Sequence, residues 1–260
     1  MYEDTVALQG LTVENQTLGA ANDSDSSTTY PHDGIIGLGA QLFAANNATS
    51  FFHNLCEKSL VEECRFGIAL DDAQNGSIVI GALDADLLDG DLTSSPIAEE
   101  WFTLGDVVVA GQTLEKDAVI EFDSGSATTV GYVVSFSSSL SSRTTQVSLT
   151  RRNSPHSPTD VVAKLLTELG AQVSTQDTPD GPVVTGSMAC STTNSPPVGF
   201  RFPSTNITSM DSSIVARTFN ISLEGLLVPS LNASDPNCTV AVLGQDFAEL
   251  PGLWVLGQSV

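Results

Sequence analysis

The sequence predicts an all-β protein, and three observations predict it. Short runs of branched and aromatic residues recur along the 260 residues, separated by clusters of Gly, Asn, Ser and Pro. Only two stretches space their apolar residues as a helix does. An apolar-apolar-Gly pattern also occurs once in each half, as Ile35-Ile36-Gly37 and Val255-Leu256-Gly257. Many short strands, few helices and Gly-rich turns define the class.

The elements follow in order. Thr5-Val6-Ala7-Leu8 and Leu11-Thr12-Val13 read as two strands around a Gly turn, followed by a polar loop from Asn22 to Ser27. Asp33-Gly34-Ile35-Ile36-Gly37-Leu38-Gly39 reads as a buried strand ending where another backbone passes close, since a Gly leaves that room. Phe51, Phe52 and Leu55 predict a short helix over Phe51 to Leu60. Phe66 to Leu70 and Ser77 to Gly81 read as partner strands, with Asn75-Gly76 as their hairpin signal. The composition break at Ser94-Ser95-Pro96 is the best domain boundary. A new strand series begins at Trp101 and runs through a second hairpin at Ala110-Gly111. Thr159-Asp160 can cap a helix over Val161 to Leu169, which Gly170 ends. Short strands then follow at Val183-Val184, Val198 to Phe202, Phe219 to Ser222, Leu226 to Val228 and Leu253 to Leu256.

A formal charge of −22, from 31 acids against 9 bases, argues against nucleic acid or an anionic membrane as partner. It fits work below neutral pH, where protonation relieves repulsion, and equally fits plain solubility. Four cysteines permit three pairings; Cys56 and Cys64 are close enough for a local bridge, and Cys190 with Cys238 would close a long loop. Eight Asn-X-Ser/Thr sequons, at Asn15, Asn22, Asn47, Asn75, Asn206, Asn220, Asn232 and Asn237, point to a disulfide-bonded secretory glycoprotein, secreted or on the cell surface. Met1-Tyr2-Glu3-Asp4 has neither the basic nor the apolar region of a signal peptide, which suggests that the beginning is missing. No stretch is long enough to span a bilayer as a helix.

The chemistry centres on Glu121-Phe122-Asp123-Ser124-Gly125-Ser126. An apolar strand delivers Asp123 into a small-residue turn, where Gly125 lets the backbone come close and adopt unusual dihedrals. Ser124 and Ser126 place hydroxyls beside the carboxylate, where they can donate to its ionised form.

Together these residues resemble the pepsin-like aspartic endopeptidases, most closely those of fungal type. The matching pieces come in family order: Asp33 to Gly39, Gly76 to Asp84, Phe122 to Ser126, and Leu253 to Gly257, with Cys190–Cys238 matching the disulfide of the second lobe. The resemblance implies a bilobal pepsin-like acid protease fold. Residues 1–97 would be the rear part of the N-terminal lobe, and residues 98–260 most of the C-terminal lobe. It implies that Asp123 is one of two catalytic aspartates, that the Ser124 hydroxyl links the two catalytic loops, and that Ser126 bonds the Asp123 carboxylate. It further implies a peptide or protein substrate in the inter-lobe cleft, no cofactor, no metal, and a monomer. Asp4-Thr5-Val6 lacks the Gly of a first catalytic loop, and no second Asp-Thr/Ser-Gly occurs in these residues. The chain is therefore expected to be inactive alone.

Residues 131–157 carry none of the acids, three bases (Arg143, Arg151, Arg152) and nine serines. Their removal would join Val130 to Pro158 and restore the family's passage from catalytic loop to helix, so they read as a retained intron or a surface insertion. A serine hydrolase would need a histidine near Asp123-Ser124-Gly125, and His32, His53 and His156 all lie in unpromising contexts. The cysteines lack C-x-x-C spacing for zinc. Two further readings are a non-catalytic pepsin-like glycoprotein serving as a binding module, and a homodimer in which each copy supplies one Asp123.

Overall fold

The computed structural model describes residues 1–20, 34–39, 41, 44, 47–70, 76–87, 92–99, 101–126, 129–134, 158–179, 181–206, 215–230, 232, 234–250 and 253–257. Asn22, His32, Asp33, Asn75 and His156 lie outside them. The chain divides into two compact units, Met1–Asp91 and Leu92–Val260.

In the first unit, β1 (Tyr2–Leu8) and β2 (Leu11–Leu18) pair antiparallel. Gln9 and Gly10 both take positive φ, 49° and 87°, the turn that matches the twist of a hairpin. Helix α1 (Phe51–Glu57) starts at Ser50, whose hydroxyl oxygen accepts from the His53 N–H. Its Phe51 and Leu55 bury with Val13 of β2, against Val6, Leu8 and Leu11. Cys56, in its last turn, is bonded to Cys64 beyond its end. β3 (Phe66–Leu70) and β4 (Gly76–Ile80) pair antiparallel from Phe66↔Ile80 to Leu70↔Gly76. That register makes Gly76 the first residue of β4, and Asn75, the other half of the hairpin signal, lies outside the described residues.

The expectation of a buried strand at Asp33 to Gly39 is corrected. Gly34–Gly39 form no strand, and Ile35 and Ile36 are 89% and 55% exposed. A Cβ added at Gly37 would meet open space rather than a crossing backbone. The two isoleucines line a cavity of about 370 Å³ with Val6, Leu18 and Phe51. Branched residues form a buried strand only where neighbours pair with it, and among the described residues none pairs with this stretch.

The second unit is built on one sheet. Its strands are β5 (Thr93–Ser94), β6 (Ile97–Glu99), β7 (Phe102–Val109), β8 (Gln112–Phe122), β9 (Thr129–Val134), β10 (Gln172–Thr178), β11 (Gly181–Ala189), β12 (Val198–Asn206), β13 (Val215–Ile221), β14 (Leu227–Pro229), β15 (Asn237–Leu250) and β16 (Leu253–Leu256). The main order is β10-β11-β15-β9-β16-β8-β7-β12-β13, with β14 on β15, β5 on β12 and β6 on β7. Ser94-Ser95-Pro96 lies near the start of this unit. Ala110 and Gly111, at φ 51° and 75°, join β7 to β8. β9 runs on through Val134, so the first residues of the stretch read as an insertion are strand residues paired with β15 and β16. The rest of that stretch, 135–157, is outside the described residues.

Helix α2 (Pro158–Glu168) packs Val161, Val162, Leu165 and Leu166 into the core, so Thr159 and Asp160 sit within its first turn rather than ahead of it. It ends in a Schellman arrangement. Gly170, at φ 82°, donates to the Thr167 carbonyl, and Ala171 donates to that of Leu166. Two sheet glycines admit the helix: a Cβ at Gly244 would stand 2.8 Å from Val162 Cβ, and one at Gly186 would stand 2.6 Å from Leu166 Cδ2. A four-residue helix, α3 (Leu223–Leu226), leads into β14. Cys190 is bonded to Cys238 of β15.

A polar cluster ties β7, β8 and β12 together. The Arg201 guanidinium donates to Asp106 Oδ2 and, at 2.7 Å, to Thr113 Oγ1, and the Asp117 N–H donates to Asp106 Oδ1 at 3.1 Å. Burial opposes the charge on Asp106, but the hydrogen bonds from Arg201 and Asp117, with the charges of Arg201 and Lys116, outweigh it and hold the carboxyl below its ordinary value.

Candidate active site

Asp123 owes its position to a strand far away in the sequence. β16 lies between β8 and β9, parallel to the first (Leu256↔Phe122) and antiparallel to the second (Val255↔Val130). Its four residues are buried. Trp254 anchors it: the ring stands edge-on to Phe200 at 5.9 Å, and Nε1 donates to Glu115 Oε2 at 2.8 Å. Where β8 ends, the Asp123 N–H donates to the Leu256 carbonyl at 2.9 Å, which carries the sheet register onto the aspartate itself.

The turn then closes on the carboxylate. The Gly125 N–H donates to Asp123 Oδ1 at 2.8 Å, and the Ser126 hydroxyl donates to Oδ2 at 2.7 Å. The Ser126 N–H donates back to the Asp123 carbonyl at 3.1 Å. Both carboxylate oxygens are thus fixed by short donors on a half-buried side chain, an arrangement that orients the carboxyl group. Gly125 serves through closeness and not through dihedrals, which corrects that expectation. Its φ is not left-handed, but a Cβ there would stand 3.1 Å from Asp123 Oδ1. Ser124 is exposed beside them. The Leu256 carbonyl and Trp254 are the positioning groups that the sequence reading did not single out; the Val255-Leu256-Gly257 pattern was the signal that could have found them.

Other candidates are dispersed. His53 lies in the first unit on α1, its Nδ1 2.8 Å from the Ser50 hydroxyl, where it serves the helix start. All four cysteines are in disulfides, so none is a thiolate ligand. Asn15, Asn47, Asn220, Asn232 and Asn237 are exposed. Asn206 ends β12. Among the described residues no helix is long and apolar enough to cross a membrane.

A family model for eukaryotic aspartyl protease matches residues 1–259. The chain belongs to that family. It is similar to cathepsin E of Aquarana catesbeiana, 31% identical over 120 residues, covering 43% of this chain and 30% of the relative. Procardosin-B of Cynara cardunculus is 30% identical over 120 residues, covering 43% and 24%. Pepsin II-1 of Oryctolagus cuniculus is 30% identical over 118 residues, covering 43% and 30%. The aligned stretch thus spans under a third of the length of these relatives. Membership in the aspartyl protease family fits the mostly-β architecture and an acid loop that enters from a strand end.

Proposed function

We propose that this chain belongs to an aspartic endopeptidase and that Asp123 is one half of its catalytic pair. The observation that carries the reading is the doubly hydrogen-bonded Asp123 carboxylate at the end of β8, in a chain of the aspartyl protease family. In this chemistry two carboxylates share a proton and a water, because two like charges held close cannot both ionise easily; aspartic proteases are the known instance. The ionised carboxylate takes a proton from the water, which attacks the peptide carbonyl, while the protonated partner supports the developing oxyanion. No covalent intermediate is needed.

The finer reading is ours too. Residues 1–97 form the rear of an N-terminal lobe and 98–260 most of a C-terminal lobe of a monomeric secretory glycoprotein of fungal type, acting on a peptide in an inter-lobe cleft. With one Asp-Ser-Gly loop, the 260 residues alone hold a water without supplying both proton roles, and they are inactive as they stand. Acid proteolysis by the purified chain, abolished by Asp123→Ala, refutes that inactivity. Reading the transcript upstream of Met1 tests the pairing. An in-frame Asp-Thr/Ser-Gly supports the enzyme, and another residue in place of that Asp supports a non-catalytic binding glycoprotein, the reading that the single aspartate favours second.

A further inference from the structure

Two neighbouring sequons are held in opposite conformations. In the first, Asn232 Oδ1 accepts from the Ser234 N–H at 3.2 Å and from the Ser234 hydroxyl at 2.7 Å. Both residues are exposed. This Asx turn brings hydroxyl and carboxamide together.

Asn237-Cys238-Thr239 is straight and enclosed. It opens β15 and pairs on one side with Ala189, Met188 and Ser187 of β11. On the other side Cys238 and Thr239 pair with Pro229 and Val228 of β14. Asn237 and Thr239 are exposed, and Cys238 between them is buried and bonded to Cys190. Ladder pairing on both sides of Cys238 and Thr239 holds this sequon extended, so it cannot take up a turn like that at Asn232 without breaking those pairs. The Cys190 N–H donates to the Pro236 carbonyl at 3.0 Å, and the Asn237 N–H donates to Asp235 Oδ1 at 2.9 Å, closing the approach from the other end.

The chemistry sets a requirement that only one of these sequons meets after folding. An amide nitrogen is a poor nucleophile because its lone pair is shared with the carbonyl. In N-glycan transfer it attacks C1 of an oligosaccharide carried on a polyprenyl pyrophosphate. The C1–O bond breaks, the C1–N bond forms, the nitrogen gives up one proton, and the pyrophosphate leaves. The sequon must bend to present that nitrogen with its hydroxyl. Disulfide closure is a separate step, in which two thiols yield two protons and two electrons to an oxidised dithiol of an oxidoreductase.

We propose that Asn237 is a timed glycosylation site: it accepts a glycan only before Cys190–Cys238 closes and β15 pairs, whereas Asn232 accepts one at any stage. The inference rests on the secretory glycoprotein reading above. Because Asn237 is exposed, a glycan added early is carried outward, and both glycoforms reach the same fold. The product is a mixture whose ratio reports the order of oxidation and transfer in the cell that makes it.

The test expresses the full 260-residue chain behind a secretory leader in cultured eukaryotic cells and measures occupancy at each sequon by peptide mass spectrometry. Asn232 is expected to be occupied throughout. Asn237 occupancy should be low in the wild type and rise several-fold in Cys190→Ser, and likewise in the wild type when dithiothreitol is present during synthesis. Cys56→Ser, which breaks the other bridge, should leave Asn237 unchanged. Equal Asn237 occupancy with and without the Cys190–Cys238 bridge overturns the proposal, as does an equal rise in Cys56→Ser, which would mark general misfolding. Asn232 unmodified in every sample refutes the glycosylation reading itself, and this inference with it.

Discussion

Replacing Trp254 by Phe should loosen the Asp123 turn from a distance. Trp254 is 1% exposed on β16, and its Nε1 donates to the Glu115 carboxylate. Phenylalanine keeps the edge contact with Phe200 but loses that donor and the outer ring. A hydrogen bond to a charged group contributes about 2 kcal/mol. The missing ring atoms, roughly two methylene equivalents, contribute about 1.5 kcal/mol more. Partial relaxation brings the expected loss to about 3 kcal/mol. Glu115→Gln alone, which keeps an acceptor but removes the charge, should cost about 1 kcal/mol. In the Phe background Glu115→Gln should cost less than it does in the wild type, because the Trp254 donor has gone. Two units need not unfold in one step, so the assay is amide hydrogen exchange, read locally across residues 112–134. The Asp123 amide, bonded to Leu256, should lose protection together with β16. Additivity of the two substitutions within about 0.5 kcal/mol, or unchanged exchange at Asp123, would refute the anchoring role of Trp254.

Three further outcomes are expected. Asp106 has a lowered pKa in the folded state, so its stabilisation is present above the ordinary carboxylate value and is lost as pH falls through the lowered one. Asp106→Asn should therefore cost about 2 kcal/mol near neutrality, and urea titrations of mutant and wild type should converge only in strong acid. Gly244→Ala drives a Cβ to 2.8 Å from Val162 Cβ, a β-branched carbon on a packed helix that no rotamer change withdraws. It should cost about 2 kcal/mol by thermal unfolding, and a neutral effect would show that α2 shifts freely. Gly125→Ala places a methyl 3.1 Å from Asp123 Oδ1; it should speed hydrogen exchange of the amides at residues 125 and 126 about tenfold, and unchanged exchange there would contradict the role of Gly125 in closing the turn.

Local signals were readable and non-local ones were not. The hairpins at Gln9-Gly10 and Ala110-Gly111, helix α1, and the Gly170 stop each depend on a few adjacent residues, and the sequence shows them directly. β15 escaped notice although it pairs with β9, β11 and β14, because Gly244, Gln245 and Asp246 interrupt its apolar run. β10 escaped because it is almost wholly exposed and polar, with no buried face to impose alternation. At the site, Asp123 and Ser126 were legible through a short motif. The Leu256 carbonyl that receives the Asp123 N–H was not, since a backbone acceptor carries no side-chain mark. Ile35-Ile36-Gly37 shows the opposite failure: it has the letters of Val255-Leu256-Gly257, but among the described residues no strands flank it as they do in the second unit.

The insertion of β16 between β8 and β9 also sets a schedule. The two strands that flank the Asp123 turn follow each other in the chain, yet the edges they turn toward each other gain their shared neighbour only when residues 253–256 arrive between them. On a ribosome, the Asp123 carboxylate is made long before the strand that positions it. Pairing so distant in sequence is slow, because the intervening loop must be closed before any ladder bond rewards it. The Asp123 turn therefore takes its final shape only after residues 253–256 have been made and paired.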